Sequence, residues 1–166
     1  MAVTFMRYPS GPRGTKFTID RMREMVKRGK ISPTIISAAS TIIRNAANKD
    51  YFSEAEQIFN FVKQNIRYTR DPEGVELVQA PWITLKRGQG DCDDQATIVA
   101  ALAAAIGMQT GFEAIRGSAQ TPDEFTHVYA VIRTNKGWRA ADTTVDEAQF
   151  GWRPTSGVFG RKLWIV

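Results

Sequence analysis

Cysteine and histidine are both scarce, with one of each in a chain of 166 residues. A lone cysteine excludes an intramolecular disulfide framework. One cysteine and one histidine also cannot assemble the four nitrogen and sulfur ligands of a structural zinc site. Long apolar runs are missing too, since no stretch approaches the roughly 18 apolar residues of a membrane-spanning helix. Residues 1–7 lack the charged-then-apolar layout of a secretory signal. We therefore expect a soluble protein that is made inside the cell and has no membrane partner.

What the chain has is an ordinary globular composition with a mild basic excess. The hydrophobic share is 43%, and 22 Lys and Arg against 17 Asp and Glu give a formal net charge of +5. Much of this excess lies near the termini, for example between Arg7 and Lys30. A basic arm can contact nucleic acid, but no nucleic-acid-binding motif or aromatic-basic patch accompanies it. A solvated face is the favoured reading, and nucleic acid is not an expected partner.

Hydrophobic periodicity predicts helices in the first part of the chain. Thr18 to Arg28 has helical spacing, Pro33 suits the first turn of a second helix, and a third is expected near 54–66. Ser53 and Glu56 form a capping-box pattern at the start of the third. We expect one domain, divided into an irregular arm (1–16), a helical part (17–66) and a catalytic core (67–166).

The core is predicted to combine one buried helix with a sheet. Residues 92–106 are apolar on nearly all sides, which is typical of a buried helix. The period then changes to that of strands, at 112–116, 126–132, 138–142 and 163–166. Helices first and strands later indicate an α+β fold with an antiparallel sheet.

Three residues in this core suggest thiol chemistry. Cys92 starts the buried helix, His127 starts a strand, and Asp142 ends the strand that returns. A thiol nucleophile needs a base that accepts its proton, and the base needs a group that fixes its tautomer. The three residues supply one of each, and no second histidine competes for the role of base.

The predicted hairpin gives a geometric condition for this triad. If residues 135–136 form a two-residue loop, Thr134 faces Gly137 and His127 faces Thr144. Asp142 is then a diagonal neighbour of His127 on the same face, at about 7–8 Å. A three-residue loop would turn Asp142 to the opposite face, so the triad predicts an even-numbered loop or a bulge that restores the parity.

The charges near Cys92 work against each other. A helix N-terminus favours a thiolate, whereas the carboxylates of Asp91, Asp93 and Asp94 oppose its ionisation. Asp91 is the expected N-cap, with Asp94 in the first turn. The same three aspartates are also the minority candidates for a calcium site, although we expect no cofactor. An oxyanion would need two donors; the first is the Cys92 N–H, and candidates for the second are Gln79, Gln89 and Trp82.

Several motifs resemble the transglutaminase-like superfamily. They are Gly90-Asp91-Cys92-Asp93-Asp94-Gln95-Ala96, His127-Val128-Tyr129 and Trp138-Arg139-Ala140-Ala141-Asp142-Thr143-Thr144. The upstream Ile66-Arg67-Tyr68 and the segment 71–81 are similar to transglutaminase-like proteins encoded in the structural-gene regions of tailed phages and prophages. One departure is Asp142-Thr143-Thr144, where the common pattern is Asp-Pro-Thr.

The resemblance implies a papain-like fold and acyl transfer from an amide through a thioester. We therefore predict a thiol-dependent peptidase or amidase, or a protein-glutamine acyltransferase, with a protein or peptide substrate. The alternative is a catalytically idle papain-like domain that serves as a structural, assembly or binding part of a phage. Phage structural proteins are then partners, and the protein is expected in the host cytoplasm or in a phage particle.

Overall fold

The computed structural model describes residues 12–72, 77–121 and 124–166, with most of the helices before the main sheet. Helices α1 to α3 come first, a small two-stranded sheet and α4 follow, and α5 precedes the main sheet. The elements are α1 (Pro12–Gly29), α2 (Pro33–Ile42), α3 (Tyr51–Asn65), β1 (Arg67–Tyr68), α4 (Pro81–Arg87), β2 (Gln89–Gly90), α5 (Cys92–Ala105), β3 (Thr110–Arg116), β4 (His127–Thr134), β5 (Gly137–Ala141) and β6 (Gly160–Ile165). The α+β class expected from the sequence is confirmed.

The main sheet has four antiparallel strands in the order β5-β4-β3-β6. In β4 and β5, Thr134 pairs with Gly137 and Ala130 pairs with Ala141. The hairpin loop is therefore the two-residue Asn135-Lys136, as the triad requires. This pairing brings the residue after β5 back toward the first residue of β4.

Helix α5 is the centre of the hydrophobic core. Nearly all of its residues are buried, from Asp94 to Ala103, and it packs on β4 and on α1. The small alanine side chains allow this close approach. A Cβ added to Gly29 of α1 would lie 2.9 Å from the Cβ of Ala101 and 2.7 Å from the Cγ of Pro81. The helices therefore meet at a distance that only glycine permits.

A second, parallel pairing holds the chain just before α5. Arg67 pairs with Gln89, and Tyr68 pairs with Gly90. The Thr69 N–H also donates to the Gly90 carbonyl at 3.0 Å. This pairing places Tyr68 of β1 beside Gly90, which lies two residues before Cys92.

Three local predictions are corrected. Helix α1 begins at Pro12, so residues 12–16 are helical rather than part of an irregular arm, and residues 1–11 lie outside the described residues. Helix α3 begins at Tyr51 and is capped by Asp50, whose carboxylate accepts the Ser53 N–H at 3.2 Å. Ser53 therefore donates its backbone N–H to the capping residue and is not itself the cap. The sequence also predicts no helix between residues 66 and 92, where the structure has α4, a seven-residue helix without a clear period.

None of the helices in the described part of the chain is both long and apolar enough to cross a membrane.

Candidate active site

The Cys92 thiol lies where α5 meets the first residues of β4. Cys92 is the first helical residue, and its helix is capped by Asp91, whose side chain accepts the Asp94 N–H at 3.2 Å. The sulfur accepts a hydrogen bond from the backbone N–H of Val128 and lies 3.6 Å from a carboxylate oxygen of Asp93. The thiol is therefore in contact with the residue that directly follows His127.

His127 and Asp142 are joined by a short hydrogen bond. The distance from Nε2 of His127 to Oδ2 of Asp142 is 2.6 Å. The other carboxylate oxygen of Asp142 accepts two bonds from Thr144, from its N–H at 3.1 Å and its hydroxyl at 2.7 Å. Asp142 is 1% exposed, whereas 22% of the His127 side chain is exposed. Because Nε2 is bound to the carboxylate, Nδ1 is the ring nitrogen left to accept another proton.

The surroundings shift the pKa values of Cys92 and Asp142 in opposite directions. Burial, followed by the charges of Asp93 and Asp91, raises the pKa of the Cys92 thiol well above its usual value, against the Val128 N–H that lowers it. Burial also opposes ionisation of Asp142, but the hydrogen bond and charge of His127, with the Thr144 bonds, bring the pKa of Asp142 below its usual value. At rest, the Cys92 thiol is therefore protonated and the Asp142 carboxylate is ionised.

Gln95 ties Asp142 to the Cys92 helix. Its side-chain oxygen accepts the Thr143 hydroxyl at 2.7 Å, and its amide nitrogen donates to the carbonyls of Ile66 at 3.3 Å and Gly90 at 3.4 Å. Gln95 is 1% exposed. It therefore fixes the residue after Asp142 one turn below the thiol. Sequence reasoning missed this role, although a glutamine in an apolar helix was the available signal.

Gln79 is held by Asp94. Its backbone N–H donates to one oxygen of Asp94 at 2.7 Å, and its side-chain amide donates to the other. Its side-chain oxygen accepts from Arg87 at 3.2 Å. Burial, with the charge of Asp91, raises the pKa of Asp94 to about 7, against the lowering effect of the Gln79 bonds. Gln79 thus serves a buried carboxyl rather than offering its amide to an oxyanion.

The other two predicted oxyanion donors, Trp82 and Gln89, have other partners in the structure. Trp82 is in α4 with the Arg28 guanidinium 5.6 Å from its ring centroid, and the adjacent Pro81 packs near Ala101. Ala101 is nine residues from Cys92 along α5, or about 13 Å at 1.5 Å per residue. Gln89 accepts a bond from Arg67 at 2.9 Å through its side-chain oxygen.

Tyr68 is the site residue that the sequence analysis did not single out. It lies on β1 opposite Gly90, two residues before Cys92, and is 45% exposed. Burial raises the pKa of Tyr68, and the charges of Cys92 and Asp91 raise it further, whereas Arg70 lowers it. Its phenol therefore lies close enough to the thiol to sense its charge. The signal in the sequence was its place in the Ile66-Arg67-Tyr68 motif.

The three aspartates beside Cys92 do not form a metal site. Asp91 caps α5, Asp93 faces the sulfur and Asp94 binds Gln79. Among the residues that the structure describes, no group of three potential ligands is suitably placed to hold a metal ion.

Comparison with known proteins identifies the family. The model of the Transglutaminase-like superfamily matches residues 37–143, which is more than half of the chain and includes Cys92, His127 and Asp142. No curated protein sequence matches the chain.

Solved structures show the same fold at low identity. A candidate protease from Parabacteroides distasonis is 10% identical with a TM-score of 0.61, covering 89% of this chain and 32% of its own. A candidate cysteine protease from Cytophaga hutchinsonii is 15% identical with a TM-score of 0.53, covering 78% and 45%. LapG from Legionella pneumophila is 18% identical with a TM-score of 0.50, covering 78% and 76%. The chain thus spans about a third of the length of the Parabacteroides distasonis protein and less than half of the length of the Cytophaga hutchinsonii protein.

Proposed function

Since the chain belongs to the transglutaminase-like superfamily, we propose that it is a thiol-dependent enzyme that cleaves amide bonds through Cys92, His127 and Asp142. One observation carries the proposal. The Asp142-His127 bond of 2.6 Å is made at the first residue of β4, and the Cys92 sulfur contacts the N–H of the next residue. These contacts support a site in which a nucleophile, a base and an orienting carboxylate act together at the start of β4.

The first half of the reaction forms an acyl-enzyme. Nδ1 of His127 takes the proton from Cys92 as the sulfur attacks the carbonyl carbon of the amide. Asp142 keeps Nε2 protonated and stabilises the imidazolium that forms. The carbon–nitrogen bond then breaks, the leaving amine takes the proton from Nδ1, and a thioester remains on Cys92.

The second half releases the acyl group. Water attacks the thioester carbonyl and gives its proton to Nδ1 of His127, and the sulfur leaves as a thiolate that is then reprotonated. An amine in place of water gives a new amide, which is the acyltransferase variant. Proton transfer at the moment of attack suits a thiol whose resting pKa is raised by burial and by Asp93 and Asp91.

Two donors are assigned to the oxyanion. The N–H of Cys92 belongs to the first turn of α5 and has no acceptor within the helix. The Tyr68 hydroxyl is the second, because Tyr68 pairs with Gly90, two residues before Cys92, and its phenol interacts electrostatically with the thiol. A tetrahedral oxyanion needs such fixed donors at about 2.7–3.1 Å.

The test uses a protein substrate and a fluorescent primary amine. The enzyme proposal predicts Cys92-dependent release of peptides from unfolded casein, or incorporation of dansylcadaverine into it. The Cys92→Ser variant should lose either activity while keeping the same urea unfolding midpoint. Turnover that survives in Cys92→Ser would sink the proposal, and the balance of peptide release and amine incorporation distinguishes hydrolysis from transfer.

A second candidate function is a catalytically idle domain that binds or assembles phage structural proteins. The observation in its favour is the acidic setting of Cys92, because Asp91 and Asp93 both disfavour the thiolate. It predicts that neither casein activity exceeds that of Cys92→Ser. The phage association itself rests on the motif resemblance of residues 66–81.

A further inference from the structure

A basic pocket lies at the edge of the sheet, at the end of β4 opposite to His127. It has a volume of about 430 Å³ and is lined by Lys136, Arg139, Arg153 and the rings of Phe52, Trp138 and Phe150. The name β5-edge pocket is used for it below. Its size falls in the range of ligand sites, which is about 300–1,000 Å³.

The charged side chains that line the β5-edge pocket are all positive. Three cations line it, and none of its lining residues is acidic. The cations come from the β4–β5 hairpin and from the segment after Phe150, so they are far apart in sequence. The fold therefore brings positive charges from two segments of the chain to one surface. A concave surface of one sign raises the local concentration of the opposite charge.

The Arg139 guanidinium is held in place by its surroundings. Its Nη1 donates to the Trp138 carbonyl at 3.1 Å. Gly151, with φ of +92°, passes close to its stem, and a Cβ there would lie 3.3 Å from Arg139 Cδ. Gly151 in turn donates its N–H to the Ala140 carbonyl at 2.8 Å. A held guanidinium loses less conformational entropy when it binds a carboxylate.

Two of the cations have no carboxylate partner among the residues that the structure describes. Among the described residues, neither Lys136 nor Arg139 forms an ion pair, whereas Arg153 lies 3.5 Å from Glu113. The Lys136 ammonium is instead 4.0 Å from the centroid of the Phe52 ring. Positive charge in the pocket thus remains available to an external anion.

We propose that the β5-edge pocket binds an acidic segment of a polypeptide, with glutamate or aspartate carboxylates held by Lys136 and Arg139. Guanidinium and ammonium groups bind carboxylates through charge-assisted hydrogen bonds. The choice of a polypeptide as ligand rests on the proposed function, in which the pocket is a second contact for a protein substrate.

The aromatic rings favour this ligand over single-stranded nucleic acid. Nucleic-acid sites of this kind use free ring faces on which bases stack. Here Lys136 covers Phe52, and the Arg133 guanidinium lies 5.9 Å from the Trp138 ring centroid. Phe52 and Phe150 are also packed edge to face at 5.3 Å. The rings therefore serve as walls and cation supports rather than as stacking platforms.

The test measures binding without turnover. A fluorescein-labelled peptide of alternating glutamate and glycine is titrated with the Cys92→Ala protein, and anisotropy is read at low and at physiological ionic strength. The pocket variant is Lys136→Gln/Arg139→Gln. The matched control is Lys30→Gln/Arg44→Gln, which removes the same charge from two exposed residues outside the pocket. Labelled oligothymidylate is titrated in parallel.

We expect the dissociation constant for the peptide to rise about tenfold in the pocket variant, because two exposed ion pairs are lost. The control should change it less than about twofold. The single variant Lys136→Gln lies in an exposed turn and should give an intermediate loss even if the double variant is unstable. Equal losses in pocket and control variants, or no peptide binding, would overturn the proposal. Oligothymidylate that binds more tightly than the peptide and is lost only in the pocket variant would replace it with a nucleic-acid site. Because the catalytic thiol is absent throughout, failure of the proposed enzyme activity does not change these outcomes.

Discussion

Two polar clusters on the main sheet contain a buried carboxylate, and they differ in the partner that each carboxylate has. Asp142 is bound to His127 at 2.6 Å and to Thr144. Glu113, on β3, accepts the Tyr129 hydroxyl and lies 3.3 Å from Arg161 and 3.5 Å from Arg153. Both carboxylates are nearly inaccessible, at 1% and 6% exposure.

The difference is whether the carboxylate is paired with a side chain that can act as a general acid and base. Arginine stays charged at any physiological pH, and burial, with Glu113, raises the pKa of Tyr129 further above its usual range. The Glu113 cluster therefore holds its carboxylate between two arginines and a tyrosine hydroxyl. The imidazole of His127, by contrast, belongs to the side-chain class that most often serves as general acid and base. Similar burial thus gives a structural cluster in one place and a reactive one in the other.

The largest effect that would sharpen this contrast is expected from Asp142→Asn. The amide cannot hold Nε2–H of His127 in the same way, so the imidazole adopts the wrong tautomer. We expect kcat to fall by about 10³–10⁴-fold while the protein stays folded. The measurement is casein turnover beside a urea unfolding curve. A loss of less than about tenfold would show that Asp142 does not orient the base.

Tyr68→Phe should have the next largest effect. Removal of one oxyanion donor costs about 10²–10³ in kcat and leaves KM nearly unchanged. The matched control is Tyr51→Phe, because Tyr51 is similarly exposed, at 41%, and lies on α3. A rise in KM at unchanged kcat would instead make Tyr68 a residue that only contacts the substrate.

Glu113→Gln should reverse the pattern and reduce stability rather than activity. The change removes the charge that Arg161, Arg153 and Tyr129 surround. We expect the free energy of unfolding to fall by about 1–2 kcal/mol, the cost of a partly buried charged hydrogen-bond group. Glu24→Gln is the control, since its ion pairs with Arg21 and Arg28 are exposed and are worth at most about 1 kcal/mol. Loss of kcat in folded Glu113→Gln would break the contrast between the clusters.

The last prediction concerns the pH dependence of stability and involves Asp94, whose pKa is raised to about 7 by burial. Between its ordinary value and 7, the folded state holds a proton that the unfolded state has released. The Asp94 contribution therefore destabilises the protein as pH rises through this window. Asp94→Asn should flatten the dependence of the free energy of unfolding on pH by up to about 1.4 kcal/mol per pH unit. Urea midpoints of the two proteins measured from pH 5 to 8 test this, and parallel profiles would contradict it.

The parts of the site that could be predicted from sequence are those set by local rules. The Asp91 cap, the apolar period of α5 and the two-residue hairpin loop are local, and the loop fixes which residues face each other across β4 and β5. Those local rules were sufficient to predict from the sequence that Asp142 lies near His127.

The remaining parts depend on contacts between distant segments. Gln79 lies 15 residues before Asp94, and only the fold shows that its amide is held there. Tyr68 reaches the thiol through a two-residue parallel pairing that has no period to detect. The Asp50 cap of α3 was missed because Ser53 and Glu56 offered a better pattern three residues later.

The central claim is that His127 is the group through which the buried Cys92 becomes nucleophilic. The rate of iodoacetamide alkylation of Cys92, measured from pH 5 to 10 in the wild-type protein and in His127→Ala, tests it most directly. The account predicts that the wild-type rate exceeds the rate of His127→Ala near neutral pH, because His127 takes the thiol proton as the sulfur attacks. Superimposable profiles, both rising only at the high pH expected for a thiol that burial, Asp93 and Asp91 keep protonated, would contradict it.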